Sequence, residues 1–229
     1  MTSFSDMTLR GFADALASDS PTPGGGSGAA AAGALGASLV RMLAMLTIGR
    51  PKYAQHEPLM RAIADGAKDA MDRLLELADA DARSYDAVSA AYKLPKGTEA
   101  EQEARRAAIQ SAMKGAVAPP LRVMEQCLEV IGLAKTAVAL GNVNAASDGA
   151  AGAELCRAAM NVASYNVRIN LVGIDDEGFA KEMRTRVDEI LYMGATTASE
   201  IDSKVQDMWK PKPKPPRPAT GGGGAPASR

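Results

Sequence analysis

"SDSPTPGGGSGAAAAGALGASLV" (residues 18–40) joins a loop rich in serine, proline and glycine to a long alanine-rich run. Alanine has the highest helix propensity and a small side chain, so the run predicts a helix that packs closely against its neighbours. A glycine cluster before a helix is either a flexible connection or a place where a ligand or another backbone comes very close. The remaining sequence has to decide between these two interpretations.

The composition extends this helical interpretation to the whole chain. Of 229 residues, 46% are hydrophobic but only 4% are aromatic. A sheet would need more Val, Ile and aromatic residues, so we expect an all-α fold with no sheet. The net charge of -1 does not indicate a basic surface for nucleic acid.

Periodic apolar positions and capping signals divide the chain into about six helices, several of them long. We expect them over residues 9–17, 27–48, 57–92, 98–140, 147–172 and 176–209. Pro119-Pro120 lies inside the fourth and predicts a kink or a short break there. The helices form one domain, residues 1–209. A tail rich in Lys, Pro and Gly, residues 210–229, has little to bury and is expected to be disordered, although a basic docking arm is an alternative.

Location is inferred from three features. No secretion signal precedes residue 20. The apolar run 29–48 is interrupted by Arg41, which favours a buried helix over a membrane span. Cys127 and Cys156 lie in helical patterns without a C-x-x-C pair, which indicates buried thiols rather than a disulfide framework. We therefore expect a cytoplasmic protein with no membrane partner.

Several kinds of chemistry are excluded by what the sequence lacks. His56 is the one histidine, which argues against a His-rich metal site and against a Ser-His-Asp triad. The glycine loop lacks the lysine ending of a nucleotide-binding loop, and no strand precedes it. We expect neither a metal nor a cofactor, and an enzyme with this sequence would use carboxylates, amides, hydroxyls, lysines and helix termini.

Two helix starts are bare of large side chains. The first carries these candidate binding residues: Thr22, Gly24, Gly25, Gly26 and Ser27. The second, "GNVNAASDGAAGAEL" (residues 141–155), carries Asn144, Ser147 and Asp148. Free backbone N–H groups and the positive end of the helix dipole suit an anion at such starts. The alternative is that Ser147 or Asp148 simply caps the helix.

Three further groups of polar residues are candidates. Asn166 and Asn170 are four residues apart and share one helix face, where they either tie helices together or line a polar cavity. Asp81 and Tyr85 have the same spacing near the end of the third helix. Lys93 and Lys96 follow at that helix end, which is either solvated or forms a rim that recognises a carboxylate.

Four motifs together resemble the formiminotransferase-cyclodeaminase C-terminal family, which contains stand-alone methenyltetrahydrofolate cyclohydrolases and formiminotetrahydrofolate cyclodeaminases. They are the opening segment, "LTIGRPKY", "DARSYDAVSAAYKLPKG" and "SDGAAGAELCRAAMNVASYNVRINL". The resemblance covers roughly residues 5–209. It implies a homodimer, a reduced folate substrate and no metal.

The resemblance also implies roles for the candidates. Asp148 would hold the cationic methenyl group and accept a proton, with Asp81 as a second catalytic carboxylate. Substrate contacts would come from the glycine loop, Ser147, Tyr85 and three amides, those of Asn144, Asn166 and Asn170. Lys93 and Lys96 would receive the glutamate of the folate.

Three functions remain open at this point. Hydrolysis of 5,10-methenyltetrahydrofolate to 10-formyltetrahydrofolate is favoured because the chain has no transferase domain. Release of ammonia from 5-formiminotetrahydrofolate passes through a similar tetrahedral carbon and is the alternative. A non-catalytic helical scaffold, docked through its tail, is a third and would bind no folate.

Overall fold

A computed structural model describes residues 3–210 as an all-α protein. The six helices are α1 Leu9–Leu16, α2 Gly25–Met45, α3 Glu57–Tyr92, α4 Glu99–Leu140, α5 Ala146–Leu171 and α6 Glu177–Trp209. Short 3₁₀ turns lie at Phe4–Asp6, Pro51–His56 and Val143–Ala145. No strand occurs within residues 3–210, so the predicted fold class is confirmed.

The centre of the molecule is a bundle of α2, α3, α4 and α5. Helix α2 packs against α3 and α5, while α4 closes the bundle on the other side and α6 covers α4 and α5. Gly25 lies near Asn166, and Gly149 lies near Leu43, so α2 and α5 are antiparallel. The arrangement places each end of α2 beside the opposite end of α5.

The alanine- and glycine-rich composition of α2 is explained by how closely its neighbours approach. A Cβ atom on Gly36 would lie 2.7 Å from the carbonyl oxygen of Gly152 and 2.6 Å from the Cys156 sulfur. A Cβ atom on Gly33 would lie 2.7 Å from the Cys127 sulfur. Both thiols are fully buried. Larger residues on α2 would therefore force the bundle apart.

Local capping signals fix most helix ends. The Thr98 side chain and Glu101 form a capping box at the start of α4, and Thr8 caps α1. Helix α2 ends at Met45, three residues before the predicted end. The Thr47 hydroxyl donates to the Leu43 carbonyl at 2.8 Å and accepts a hydrogen bond from the backbone N–H of Asn142 at 2.8 Å. These bonds tie the end of α2 to the segment that precedes α5.

The proline pair does not interrupt α4, so the predicted break is wrong. Pro120 has no N–H to give to the Ala116 carbonyl, which lies one turn earlier. The Asn170 amide of α5 donates to that carbonyl at 2.8 Å instead. A neighbouring helix thus satisfies the carbonyl that proline leaves free, and α4 continues to Leu140.

Two further expectations concern a membrane span and the C-terminal tail. Helix α2 has the length and apolar content of a membrane span, yet half of its most apolar window is buried in the bundle. The expected disordered tail, 210–229, lies outside the described residues except for Lys210.

Candidate active site

The first turn of α2 is in direct contact with a carboxylate from α3. Gly24 occupies the cap position of α2 and offers no side chain to the free N–H groups. A Cβ atom on Gly26 would overlap the Asp81 carboxylate. The glycine is therefore required so that the carboxylate can reach the helix backbone.

Asp81 is the most perturbed carboxylate of this region. It is largely buried, and loss of solvent raises its pKa above the ordinary aspartate range, although the amide and hydroxyl of Ser27 counteract part of the effect. The Ser27 hydroxyl oxygen lies 3.4 Å from Asp81 Oδ2 and donates to the Ala78 carbonyl at 2.8 Å. A carboxyl group with a raised pKa exchanges protons closer to neutral pH, which suits a general base.

Further polar groups from three elements lie around this contact. The Asn166 amide donates to Val162 of its own helix at 3.1 Å and lies against Gly25. Tyr85, one turn after Asp81, is 47% exposed. We call the whole group the glycine end: Thr22, Gly24, Gly25, Gly26, Ser27, Asp81, Tyr85 and Asn166.

The remaining catalytic candidate lies at the start of α5. Asp148 is half-buried in the first helical turn, while Asn144 and Ser147 are exposed. Ala145 holds the cap position, and no side chain bonds to the first turn. The capping explanation for Ser147 and Asp148 is therefore not supported, and the aspartate charge is free to serve the positive helix terminus or a ligand.

Sequence reasoning assigned no role to Tyr53, which lies against the start of α5. The N–H of Val143 donates to the phenol oxygen at 3.2 Å, and this bond lowers the pKa of Tyr53, with a further contribution from Lys52. The Lys52 ammonium is 5.3 Å from the ring centre. The signal was the tyrosine next to lysine in "GRPKY". The aspartate end comprises Lys52, Tyr53, Asn142, Asn144, Ser147 and Asp148.

A cleft of about 290 Å³ opens at the aspartate end. It is lined by Lys52, Tyr53, His56 and Val143 together with the end of α4. Within residues 3–210, no group of three or more His, Cys, Asp or Glu side chains is arranged to hold a metal ion. The polar side chains that line this cleft include the Lys52 ammonium, the Tyr53 phenol and the His56 imidazole.

The structure separates the two predicted catalytic carboxylates. Asp148 lies in the first turn of α5, whereas Asn166, beside the glycine loop, lies eighteen residues further along the same helix. At a rise of about 1.5 Å per residue, the two ends are roughly 27 Å apart along the bundle. No single small substrate reaches both ends within one chain.

Three other candidates lie beyond the glycine end. Lys93 and Lys96 are exposed at the C-terminal end of α3, and Lys96 borders a cleft of about 330 Å³ that also contains Arg105 and Arg106. Asn170 uses its amide nitrogen to bond α4. The helix-tying interpretation therefore accounts for Asn170, while Asn166 is the amide next to the loop.

Comparison with known proteins places the chain in a family. A sequence model described as formiminotransferase-cyclodeaminase matches residues 8–189. The chain is 37% identical over 205 residues to methenyltetrahydrofolate cyclohydrolase of Methylorubrum extorquens, which covers 90% of this chain and 97% of that protein.

Two further similarities support the same family. Formimidoyltransferase-cyclodeaminase of Rattus norvegicus is 34% identical over 194 residues, and the match covers 85% of this chain but 36% of that protein. The solved structure of formiminotetrahydrofolate cyclodeaminase from Thermotoga maritima superposes with a TM-score of 0.81 at 30% identity, over 89% of this chain and 98% of that one. The chain belongs to the formiminotransferase-cyclodeaminase family.

Proposed function

We propose that this protein is a methenyltetrahydrofolate cyclohydrolase, which hydrolyses 5,10-methenyltetrahydrofolate to 10-formyltetrahydrofolate. The observation that carries the proposal is the match to 97% of a stand-alone cyclohydrolase. The Asp81 carboxyl group at the glycine end supports it, because the reaction needs a proton acceptor and a raised pKa makes this carboxylate a stronger base.

The reaction requires two proton transfers. Water adds to the cationic carbon between N5 and N10, and a base takes one proton from that water. The C–N5 bond then breaks, and the proton is returned to N5. The second proton of the water leaves to solvent as the formyl carbonyl forms on N10.

The chain supplies groups for each requirement. Asp81 accepts the water proton and returns it to N5, and its raised pKa makes its carboxylate a stronger base than an ordinary aspartate. Gly25 is exposed at a helix start without a side-chain cap, where its backbone can receive a flat ring or a carboxylate. Asn166 provides an amide for the pterin edge, and Tyr85 provides an exposed aromatic face.

Cyclodeamination is the second candidate, and one observation favours it. The solved structure that resembles this chain over 98% of its own length is a formiminotetrahydrofolate cyclodeaminase. The Asp81 carboxyl group, in its protonated form, would then donate a proton to the amino group as it leaves the tetrahedral carbon as ammonia. The rat cyclodeaminase contains a long region that this chain does not match.

A paired assay separates the candidates. Loss of methenyltetrahydrofolate absorbance is followed in a buffer where spontaneous hydrolysis is slow, and ammonia release from 5-formiminotetrahydrofolate is followed beside it. We expect faster turnover of the methenyl substrate. Faster ammonia release would reverse the assignment, and no turnover or folate binding in either assay would favour the scaffold.

The environment and requirements of the enzyme are part of the proposal. We expect a cytoplasmic enzyme that uses a reduced folate, with no nucleic acid or membrane partner and no cofactor. Both reactions need only proton transfer and stabilisation of a cation. Turnover should therefore survive dialysis against a chelator, and a loss that added metal restores would contradict this expectation.

We also propose a homodimer, because two antiparallel helices carry apolar stripes whose residues are exposed or half-buried. The α2 stripe is Gly28, Ala32, Leu35, Leu39, Met42 and Leu46, and the α5 stripe is Ala151, Leu155, Ala158, Val162, Tyr165, Ile169 and Val172. Both have the alternating three- and four-residue spacing of packed helices. Ile169 is 66% exposed and Leu35 is 56% exposed, which is unusual for such residues.

A second copy of the chain fits this face better than an unrelated helix. Two helices side by side along the 21 residues of α2 present an area of roughly 600 Å² in projection, close to the ~800 Å² that each partner buries in a stable complex. A two-fold axis matches each stripe to a stripe of equal length and spacing. One added helix would leave half of the face exposed.

Substitution of Ile169 tests the dimer. The change Ile169→Glu places a charge in the α5 stripe and should shift the sedimentation coefficient from that of a dimer to that of a monomer. The matched control Tyr192→Glu lies on α6, where Tyr192 is 75% exposed, and should leave the dimer intact. A wild-type protein that sediments as a monomer at assay concentrations would contradict the proposal.

A further inference from the structure

The two ends of the bundle each hold part of a site. The glycine end has the desolvated Asp81 carboxyl group and a bare helix start. The aspartate end has Asp148 in the first turn of α5, and Tyr53, with Lys52 near its ring, bonds to Val143 just before that helix. Groups that act on one reacting carbon must lie within hydrogen-bond reach of it or one water away. A separation of roughly 27 Å along the helix axis forbids that within one chain.

Dimerisation through the two stripes changes the distance between these groups. The stripes run along the bundle, and each spans most of the distance between the two ends. The stripes can pair about a two-fold axis along the helices, which keeps the direction of the second copy, or about one perpendicular to the helices, which reverses it. Only the perpendicular axis brings opposite ends of the two copies together. The glycine end of one copy then lies next to the aspartate end of its partner, and the same contact recurs at the other end of the dimer.

The chemistry of the two ends is complementary. Asp81 has a raised pKa and suits proton transfer. Asp148 is half-buried in the first turn of α5, where its negative charge complements the positive helix terminus and can hold a cation. Hydrolysis of a cationic amidine needs one group that transfers protons to and from the reacting atoms and one that stabilises the positive charge.

Resting on the proposed function, we propose that each active site is shared: Asp81 and the glycine loop come from one copy, and Asp148 comes from the other. The dimer then contains two equivalent sites, and a monomer contains none. Asp81 is the proton-transfer group, and Asp148 stabilises the cationic substrate.

Paired heterodimers test the sharing directly. In the first heterodimer, one chain carries Asp81→Asn and the other carries Asp148→Asn, with a different affinity tag on each chain for purification. A shared arrangement leaves one intact site of two, so turnover should be about half that of the wild-type dimer. If both groups of a site came from the same chain, this heterodimer would be inactive.

The second heterodimer reverses the expectation. It pairs a wild-type chain with a chain that carries both substitutions. A shared arrangement leaves each site without one carboxylate, so turnover should fall about a hundredfold or more, in line with loss of a general acid–base group. Half of the wild-type turnover here would overturn the proposal.

The homodimeric variants provide the controls. Asp81→Asn and Asp148→Asn are nearly isosteric, and circular dichroism and sedimentation establish that each folds and dimerises. Either variant with full turnover as a homodimer would also overturn the proposal, because that carboxylate would not belong to a site. Absence of turnover by the wild-type dimer would instead reject the proposed function itself.

Discussion

Burial of a single carboxyl group, Asp81, links the site to protein stability. Its raised pKa means that the folded protein binds this proton more tightly than the unfolded chain does. Its stabilising contribution is therefore complete below the pKa of the unfolded chain and is lost as pH rises through the folded pKa. Above that range, ionised Asp81 lowers the free energy of unfolding relative to its protonated form.

The change Asp81→Asn removes this titration. Relative to wild type, the free energy of unfolding of the variant should increase as pH rises through the window between the ordinary and the raised pKa of Asp81, then level off. Chemical denaturation at several pH values measures the difference. A difference that shrinks with rising pH would mean that the pKa of Asp81 is lowered, not raised.

Gly26 is the residue that admits Asp81 to the helix start. A methyl group on Gly26 would overlap the carboxylate, so Gly26→Ala should destabilise the protein by about 1–3 kcal/mol and lower turnover. Gly115, on α4, is exposed and has no heavy atom within 4 Å of an added Cβ. Gly115→Ala should stabilise the protein by about 0.5–1 kcal/mol through helix propensity.

Thermal unfolding and turnover of these two glycine variants distinguish a specific contact from general helix flexibility. Equal effects of both substitutions would show that Gly26 acts only through backbone freedom, and that the approach of Asp81 does not depend on it.

Among the elements, α4 depends on its neighbour α5. The Ala116 carbonyl is buried and receives its hydrogen bond from Asn170 because Pro120 cannot donate one. Asn170→Ala should therefore cost about 1–3 kcal/mol, the penalty of an unsatisfied buried acceptor. Asn161→Ala, at an exposed position on the same helix, should stay within about 0.5 kcal/mol.

A double-mutant cycle with Pro120→Ala identifies the cause. Alanine at position 120 restores an N–H one turn after Ala116, so the cost of Asn170→Ala should drop by about 1 kcal/mol in that background. Denaturant unfolding of the four proteins gives the coupling. Strict additivity would show that Asn170 stabilises the bundle by other contacts.

These elements show what the sequence predicts and what it does not. The ends of α3 follow from Glu57-Pro58 and the Pro95–Gly97 segment, and the start of α4 follows from the cap at Thr98, because these signals act within a few residues. The contact of Gly26 with Asp81 joins residues far apart in sequence and depends on helix packing. The bond from Asn170 to Ala116, which keeps α4 continuous, was missed for the same reason.

For the whole molecule, positive charge beyond the glycine end, at the C-terminal end of α3, should affect substrate capture more than chemistry. Lys93 and Lys96 are exposed on a fixed helix end, so replacing both by alanine should raise KM, more for folates with additional glutamates, with a smaller effect on kcat. The effect should weaken at high salt. Alanine at Lys181 and Lys204 of α6 is the charge-matched control.

Truncation after Trp209 separates these lysines from the basic tail. The sequence predicts a tail with little to bury, whose lysines would have to be ordered before they could bind, which costs entropy. Steady-state kinetics should therefore remain nearly unchanged in the truncated protein. A harmless change at Lys93 and Lys96 with a damaging truncation would move glutamate recognition to the tail.

The labelling rates of the two buried thiols can report how often the bundle opens. Cys127 on α4 and Cys156 on α5 are inaccessible, and the hydrogen bond that Cys156 shares with Cys127, together with burial, raises the pKa of Cys127. A thiol reagent attacks the thiolate, so labelling proceeds only through openings of the structure. Identical labelling rates at the two positions would mean that α4 and α5 separate in one event, and a faster Cys156 would mean that α5 detaches first.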